Sequence, residues 1–109
     1  MAAGAMVLEI TRIDVMPGTA GEFRRAVARA QPIFSAAKGC RSVRLMQMVE
    51  ADNAFLLLVE WERLEDHTVD FWVSDGFRDW RERVGGFFAS PPRVEHGTAG
   101  LVIMDGGGA

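Results

Sequence analysis

Among the side chains able to move a proton, hold an anion or seat a flat ring are His67, Arg81 and Trp61. Histidine changes charge near neutral pH, which suits it to take or relay a proton. Arginine is a fixed cation that can stabilise a developing negative charge. Tryptophan offers a flat apolar face and one N–H that needs a partner. All three fall within residues 55–88, which also hold the other two tryptophans and five of the seven phenylalanines. Each has a plainer alternative. His67 also fits a helix-end residue making a capping or surface bond, and Arg81 a solvent-facing helix arginine. Trp61 either lines a ligand site or packs in the core.

The elements that must position these residues follow from periodicity. Residues 6–16 are rich in β-branched side chains and alternate as a strand, with Val7, Glu9, Thr11, Ile13 and Val15 on one parity. Pro17-Gly18 closes it. Thr19 is then expected to cap a helix, with Glu22 completing a capping box. Phe23, Val27, Ala30, Phe34 and Ala37 form one apolar stripe, Pro32 kinks or divides the helix, and Gly39 ends it. Residues 40–50 read as a second strand, 51–53 as a hairpin loop and 54–62 as a buried third strand. A helical region starts near Leu64 and breaks at Ser74-Asp75-Gly76, where Ser74 or Asp75 caps a last helix. Phe77, Trp80, Val84 and Phe87 or Phe88 make its inward stripe, and Gly85-Gly86 and Pro91-Pro92 end it. Residues 93–104 form a final strand, and 105–109 a disordered glycine-rich tail.

The order β-α-β-β-α-β predicts a single α+β domain over residues 1–109, ordered from about 6 to 104. It is a ferredoxin-like, four-stranded antiparallel sheet with both helices on one face. Phe55, Leu57, Val59 and Trp61 share a parity and face Phe71, Trp72, Phe77 and Trp80. These residues form either a pocket wall or simply a hydrophobic core. Thr11 and Glu9 share the inward parity of the first strand, within reach of the pocket mouth. The Glu9, Arg12, Asp14 and Glu60, Glu62, Arg63 charges otherwise fit solvated or dimer-rim pairs. His96, in the last strand, either faces the same cavity or is structural. Leu8, Ile10, Leu56 and Leu58 fall on the helix-free face and need a cover, which a second copy would supply as a two-fold homodimer.

Composition narrows the functions. A net charge of −3, with acidic residues between the arginines, argues against nucleic acid as partner. The longest apolar run, 54–59, is far shorter than the roughly 20 residues that span a bilayer, so no membrane partner is expected. The start, MAAGAM, lacks a secretory pattern, and a lone Cys40 makes no internal disulfide; a cytoplasmic location is expected. Two histidines and one cysteine, far apart, give no zinc spacing, and phosphate-binding glycine motifs are absent. Neither metal nor cofactor is therefore assigned.

The segments PGTAGEFRRA, GCRSVRL, VEWERLEDH, FRDWRE and PPRVEH, in this order and spacing, resemble the antibiotic biosynthesis monooxygenase domain family over residues 6–103. The resemblance implies a dimeric α+β barrel. Some members oxidise aromatic polyketide or quinol substrates with molecular oxygen and no cofactor; others cleave haem, act on small signalling molecules or have no assigned activity. It also implies roles: Trp61 matches a functional tryptophan of the polyketide oxidisers, Arg81 an arginine, and His67 a position where they tend to carry tyrosine. Leu57 departs from the asparagine of that group. In the haem-cleaving branch an asparagine, a tryptophan and a histidine fall where this chain has Thr11, Phe71 and Arg81, so haem cleavage by that route is disfavoured. The implied function is a cofactor-independent monooxygenase in which Trp61 positions the ring, His67 takes the proton and Arg81 holds the anion. The alternatives are a non-catalytic barrel for a small hydrophobic ligand and, third, a haem-binding relative.

Overall fold

The computed structural model describes residues 6–98, 100 and 102–106. Four strands, β1 (Val7–Asp14), β2 (Cys40–Gln47), β3 (Ala54–Trp61) and β4 (Arg93–Thr98), form one antiparallel sheet in the order β2-β3-β1-β4. This is the expected ferredoxin-like arrangement. Three α-helices, α1 (Ala20–Arg29), α2 (Gln31–Ser35) and α3 (Asp75–Val84), and a π-helical segment, Asp66–Phe71, make up the helical layer. None of the helices is long and apolar enough to cross a membrane among the described residues.

Alternation decides which side of the sheet is buried. Glu9, Thr11 and Ile13 of β1 and Phe55, Leu57, Val59 and Trp61 of β3 turn toward the helices and are buried. Phe23, Val27 and Phe34 of the divided first helix and Trp80 and Val84 of α3 close over them as one core. Pro32 does divide the helix: α1 stops at Arg29 and α2 restarts with Pro32 in its first turn. Ser74 caps α3, its hydroxyl oxygen accepting from the Phe77 N–H at 3.1 Å. Leu8, Ile10, Leu56 and Leu58 stand on the opposite, helix-free face and are half-buried.

Several expectations are corrected. Thr19 forms no capping box; its hydroxyl instead donates back to the Met16 carbonyl at 2.6 Å, closing the Pro17-Gly18 turn. Strand β2 stops at Gln47 rather than residue 50. Strand β4 stops at Thr98 rather than residue 104, because Thr98 pairs with Val7, where β1 begins and the ladder runs out of partner. Val102, Ile103 and Met104 are exposed. Of the tail expected to be disordered, residues 107–109 lie outside the described ones.

The junction between α2 and β2 also anchors the π-helical segment. Gly39 has φ +79°, a conformation that L side chains rarely adopt, and the buried Asp66 carboxylate lies against its α-carbon. That carboxylate accepts from the Arg63 backbone N–H at 3.1 Å and pairs with the Arg63 guanidinium at 3.2 Å. A methyl group at Gly39 would fall 2.0 Å from the nearest Asp66 carboxylate oxygen, whereas one at Gly18, with φ +84°, would meet nothing within 4 Å. Gly18→Ala is therefore expected to lose about 1–2 kcal/mol from backbone strain alone. Gly39→Ala should lose clearly more, since Asp66 must also move. Urea denaturation of both variants checks this; equal losses would mean Asp66 is free to yield.

Candidate active site

The site is built around a carboxyl group on the inner face of the sheet. Glu9 is 5% exposed. Its Oε1 accepts from the Trp61 indole N–H at 3.0 Å, and its Oε2 from the Thr11 hydroxyl at 2.6 Å. Antiparallel pairing sets Val7 against Trp61 and Glu9 against His96, so strands on both sides of β1 contribute. His67 arrives from the π-helical segment. Its ring stacks on Trp61, with centroids 5.1 Å apart and planes 16° from parallel, and its Nε2 lies 3.3 Å from Glu9 Oε1. The extra residue in the π-turn matters here. The Trp72 backbone N–H bonds to the His67 carbonyl five residues back, and the Trp72 indole N–H donates to His67 Nε2 at 3.1 Å. The opposite ring nitrogen, Nδ1, is 2.8 Å from His96 Nε2.

These contacts settle where the protons sit. An indole can only donate, so His67 Nε2 must present its lone pair. The ring proton is then on Nδ1 and is given to His96 Nε2. Burial, with a smaller contribution from His96, pushes His67 down to about 4. Burial likewise raises Glu9 above the usual carboxylate range, against the hydrogen bonds from Thr11 and Trp61. An ion pair at 3.3 Å would oppose both shifts. The Trp72 N–H occupies the nitrogen on which that pair depends, so the uncharged imidazole is the resting form.

Glu9 and His67 open onto a cleft of about 970 Å³. Its sheet side is Thr11, Ile13, Leu57 and Val94; Trp72, Phe77, Trp80 and Arg81 close it from the helical layer. The volume suits a small ring system. His67 and Arg81 thus share one cavity. Arg78 and Arg83 pair with Asp75 and Asp79, but Arg81 has no carboxylate partner among the described residues; its guanidinium carbon lies 5.8 Å from the Phe77 ring centre. The Arg81 side chain is exposed where it borders the cleft.

Not every predicted wall residue lines this cleft. Thr11, Leu57, His67, Trp72, Phe77, Trp80 and Arg81 do. Phe55, Val59 and Phe71 pack in the core, off the wall. Trp61 is fully buried behind His67, holding Glu9 rather than facing the cavity. His96 lies behind the other edge of His67. Of the two readings of Glu9, a solvated or rim charge and, from its shared parity with Thr11, a residue within reach of the pocket, the structure agrees with the second: Glu9 is buried on the cavity wall. Among the described residues, no group of three or more acidic, histidine or cysteine side chains is placed to hold a metal.

Comparison with known proteins agrees with the fold. The profile of the antibiotic biosynthesis monooxygenase family matches residues 6–83. A crystal structure assigned as a candidate antibiotic biosynthesis monooxygenase from Bordetella bronchiseptica is 42% identical. It covers 89% of this chain and 99% of its own, with a TM-score of 0.87. The uncharacterised protein YczJ of Bacillus subtilis (strain 168) is 38% identical over 91 residues, 84% of this chain and 96% of that protein. SnoaB, a cofactor-independent oxygenase from Streptomyces nogalater, shares the fold at 19% identity, with a TM-score of 0.70 over 92% of this chain and 96% of its own. By profile and by close relatives, the chain belongs to the antibiotic biosynthesis monooxygenase family.

Proposed function

We propose that this protein oxidises a small aromatic or quinol-like substrate with molecular oxygen, using no metal or organic cofactor. The observation that carries the proposal is the convergence of His67 Nε2, the buried Glu9 and the Arg81 guanidinium on one apolar cleft. The fold shared with a named cofactor-independent oxygenase supports it. For a substrate whose reacting carbon is a methylene between aromatic rings, the methylene and one dioxygen molecule give a ketone and one water. The substrate displaces Trp72, which is 46% exposed and able to swing away, and gives a proton to His67 Nε2. Arg81 holds the resulting anion. The anion passes one electron to oxygen, and the two radicals join as a peroxide on the same carbon. His67 returns a proton to the peroxide. Loss of the second C–H proton then breaks the O–O bond, leaving the carbonyl and water.

A second reading is a binder of hydrophobic ligands without turnover. It is favoured by the Trp72 N–H, which occupies the lone pair a base would use, and by the apolar Leu57 on the wall. The helix-free sheet face, with Leu8, Ile10, Leu56 and Leu58, is proposed to be covered by a second copy of this chain.

Oxygen uptake by metal-stripped protein on a panel of anthrones and hydroquinones tests the chemistry. Turnover is expected, with His67→Gln slower by about 10²–10⁴-fold and Arg81→Ala by about 10²–10³-fold in kcat/KM. Ring binding without oxygen uptake would establish the binder instead, and an Arg81→Ala variant turning over as fast as the parent would remove Arg81 as the holder of the anion. Because the active form of His67 is uncharged and its pKa is lowered to about 4, kcat/KM should hold through pH 6 and fall only as pH approaches 4. That limb belongs to His67 coupled to Glu9 and His96. A limb at the ordinary histidine value of about 6.5 would place the base in water. Sedimentation should give twice the 12.0 kDa chain mass, and Leu58→Asp should shift it to the monomer.

A further inference from the structure

The geometry points to His96 as the outlet for the proton taken up at His67: a positioning residue that touches no substrate and relays the proton to solvent. This rests on His67 being the base of the proposed function.

The two edges of the His67 ring face different surroundings. At the Nε2 edge, Glu9 and Trp72 both line the cleft. At the Nδ1 edge, the neighbour is His96 Nε2 at 2.8 Å, and His96 is not on the cleft wall. His96 belongs to β4, the edge strand of the sheet, and is half-buried where His67 is only 3% exposed. The path from cleft to water therefore crosses one imidazole and continues through a second.

The resting protons already suit transfer in this direction. His67 carries its proton on Nδ1 and gives it to His96 Nε2, which leaves the proton of uncharged His96 on its own Nδ1. When Nε2 accepts a proton from the substrate, Nδ1–H passes to His96 Nε2, and His96 Nδ1–H passes to solvent. One proton leaves the substrate and one reaches water; the substrate keeps the electron pair as its anion, and neither histidine is oxidised or reduced. Both rings end in their other uncharged tautomer. The new Nε2–H of His67 then points at Glu9 Oε1, 3.3 Å away, which can accept it. Trp72 thus holds the tautomer until the substrate displaces it, and Glu9 the tautomer after transfer. No imidazolium forms in a site where burial penalises one.

Anaerobic deprotonation separates this step from the oxidation. Anthrone is mixed under argon, in weak buffer with a pH indicator dye, with the parent, His96→Gln, and His96→Ala with and without added imidazole. The absorbance of the substrate anion is followed together with the proton released to solvent, and folding of each variant is checked by circular dichroism. Gln keeps a hydrogen-bond partner for His67 but cannot pass a proton on. The expected result is anion formation with proton release by the parent and about tenfold or slower formation by His96→Gln at similar substrate affinity, with imidazole restoring His96→Ala. Equal rates in parent and His96→Gln overturn the relay and leave the oxidation intact. A slow His96→Ala that imidazole does not restore makes His96 merely structural and also overturns the relay. No anion formed by the parent removes His67 as the base, and both proposals fall. Relay-dependent anion formation without oxygen uptake in air keeps the relay and removes the oxidation.

Discussion

The buried carboxyl of Glu9 is the constraint on which the rest of the site depends. Placing an acidic group on the inner face of a sheet costs several kcal/mol unless each lone pair finds a donor. Trp61 and Thr11 supply two donors, and no buried side-chain polar atom lacks a partner among the described residues. That requirement turns Trp61 from a ligand surface into a support. Its indole N–H is used by Glu9 and its face by the His67 ring, so both residues that meet the cleft are fixed through one buried tryptophan. An apolar residue at position 9 would spare the desolvation cost, but it would leave the Trp61 N–H unpaired and remove the acceptor beside His67 Nε2.

The second constraint is the backbone that delivers His67. A regular α-turn does not stack residue i over residue i+5; the π-turn does, bringing the Trp72 side chain back onto the His67 ring. This irregular segment is held at its start by Asp66, which fits only because Gly39 has no side chain. The Glu62 N–H bonding to the Gly39 carbonyl at 2.8 Å ties the same corner to the end of β3. His67 is thus positioned by a turn whose first residue is packed tightly against one glycine.

Much of this architecture was legible in the sequence because it rests on local rules. Period-two alternation named the inner residues of β1 and β3, the 3.6-residue stripe named Phe23, Val27, Phe34, Trp80 and Val84, and Pro32 and Ser74 marked their breaks. The site was less legible. Parity cannot tell Leu57, which lines the cleft, from Phe55 and Val59, which do not; that depends on where the helical layer stops covering the sheet. The role of Glu9 depends on a donor 52 residues away, and no local pattern reports such a contact. The π-turn has no periodic signature in six residues, and with it went the meeting of His67 and Trp72.

A base whose pKa is held near 4 poses a difficulty for proton abstraction. Each unit by which the substrate exceeds the base makes the transfer uphill by about 1.4 kcal/mol. A free imidazolium in this pocket would therefore be a poor resting place for the proton. Two features of the site reduce the gap. In the proposed reaction, the Arg81 cation would stabilise the substrate anion and so lower the pKa of the substrate. With the proposed tautomer exchange through His96, His67 would never hold two protons, and the low pKa would measure a charged state that route does not visit. In the proposed route, depressed basicity and productive deprotonation are compatible because the proton is passed on rather than kept.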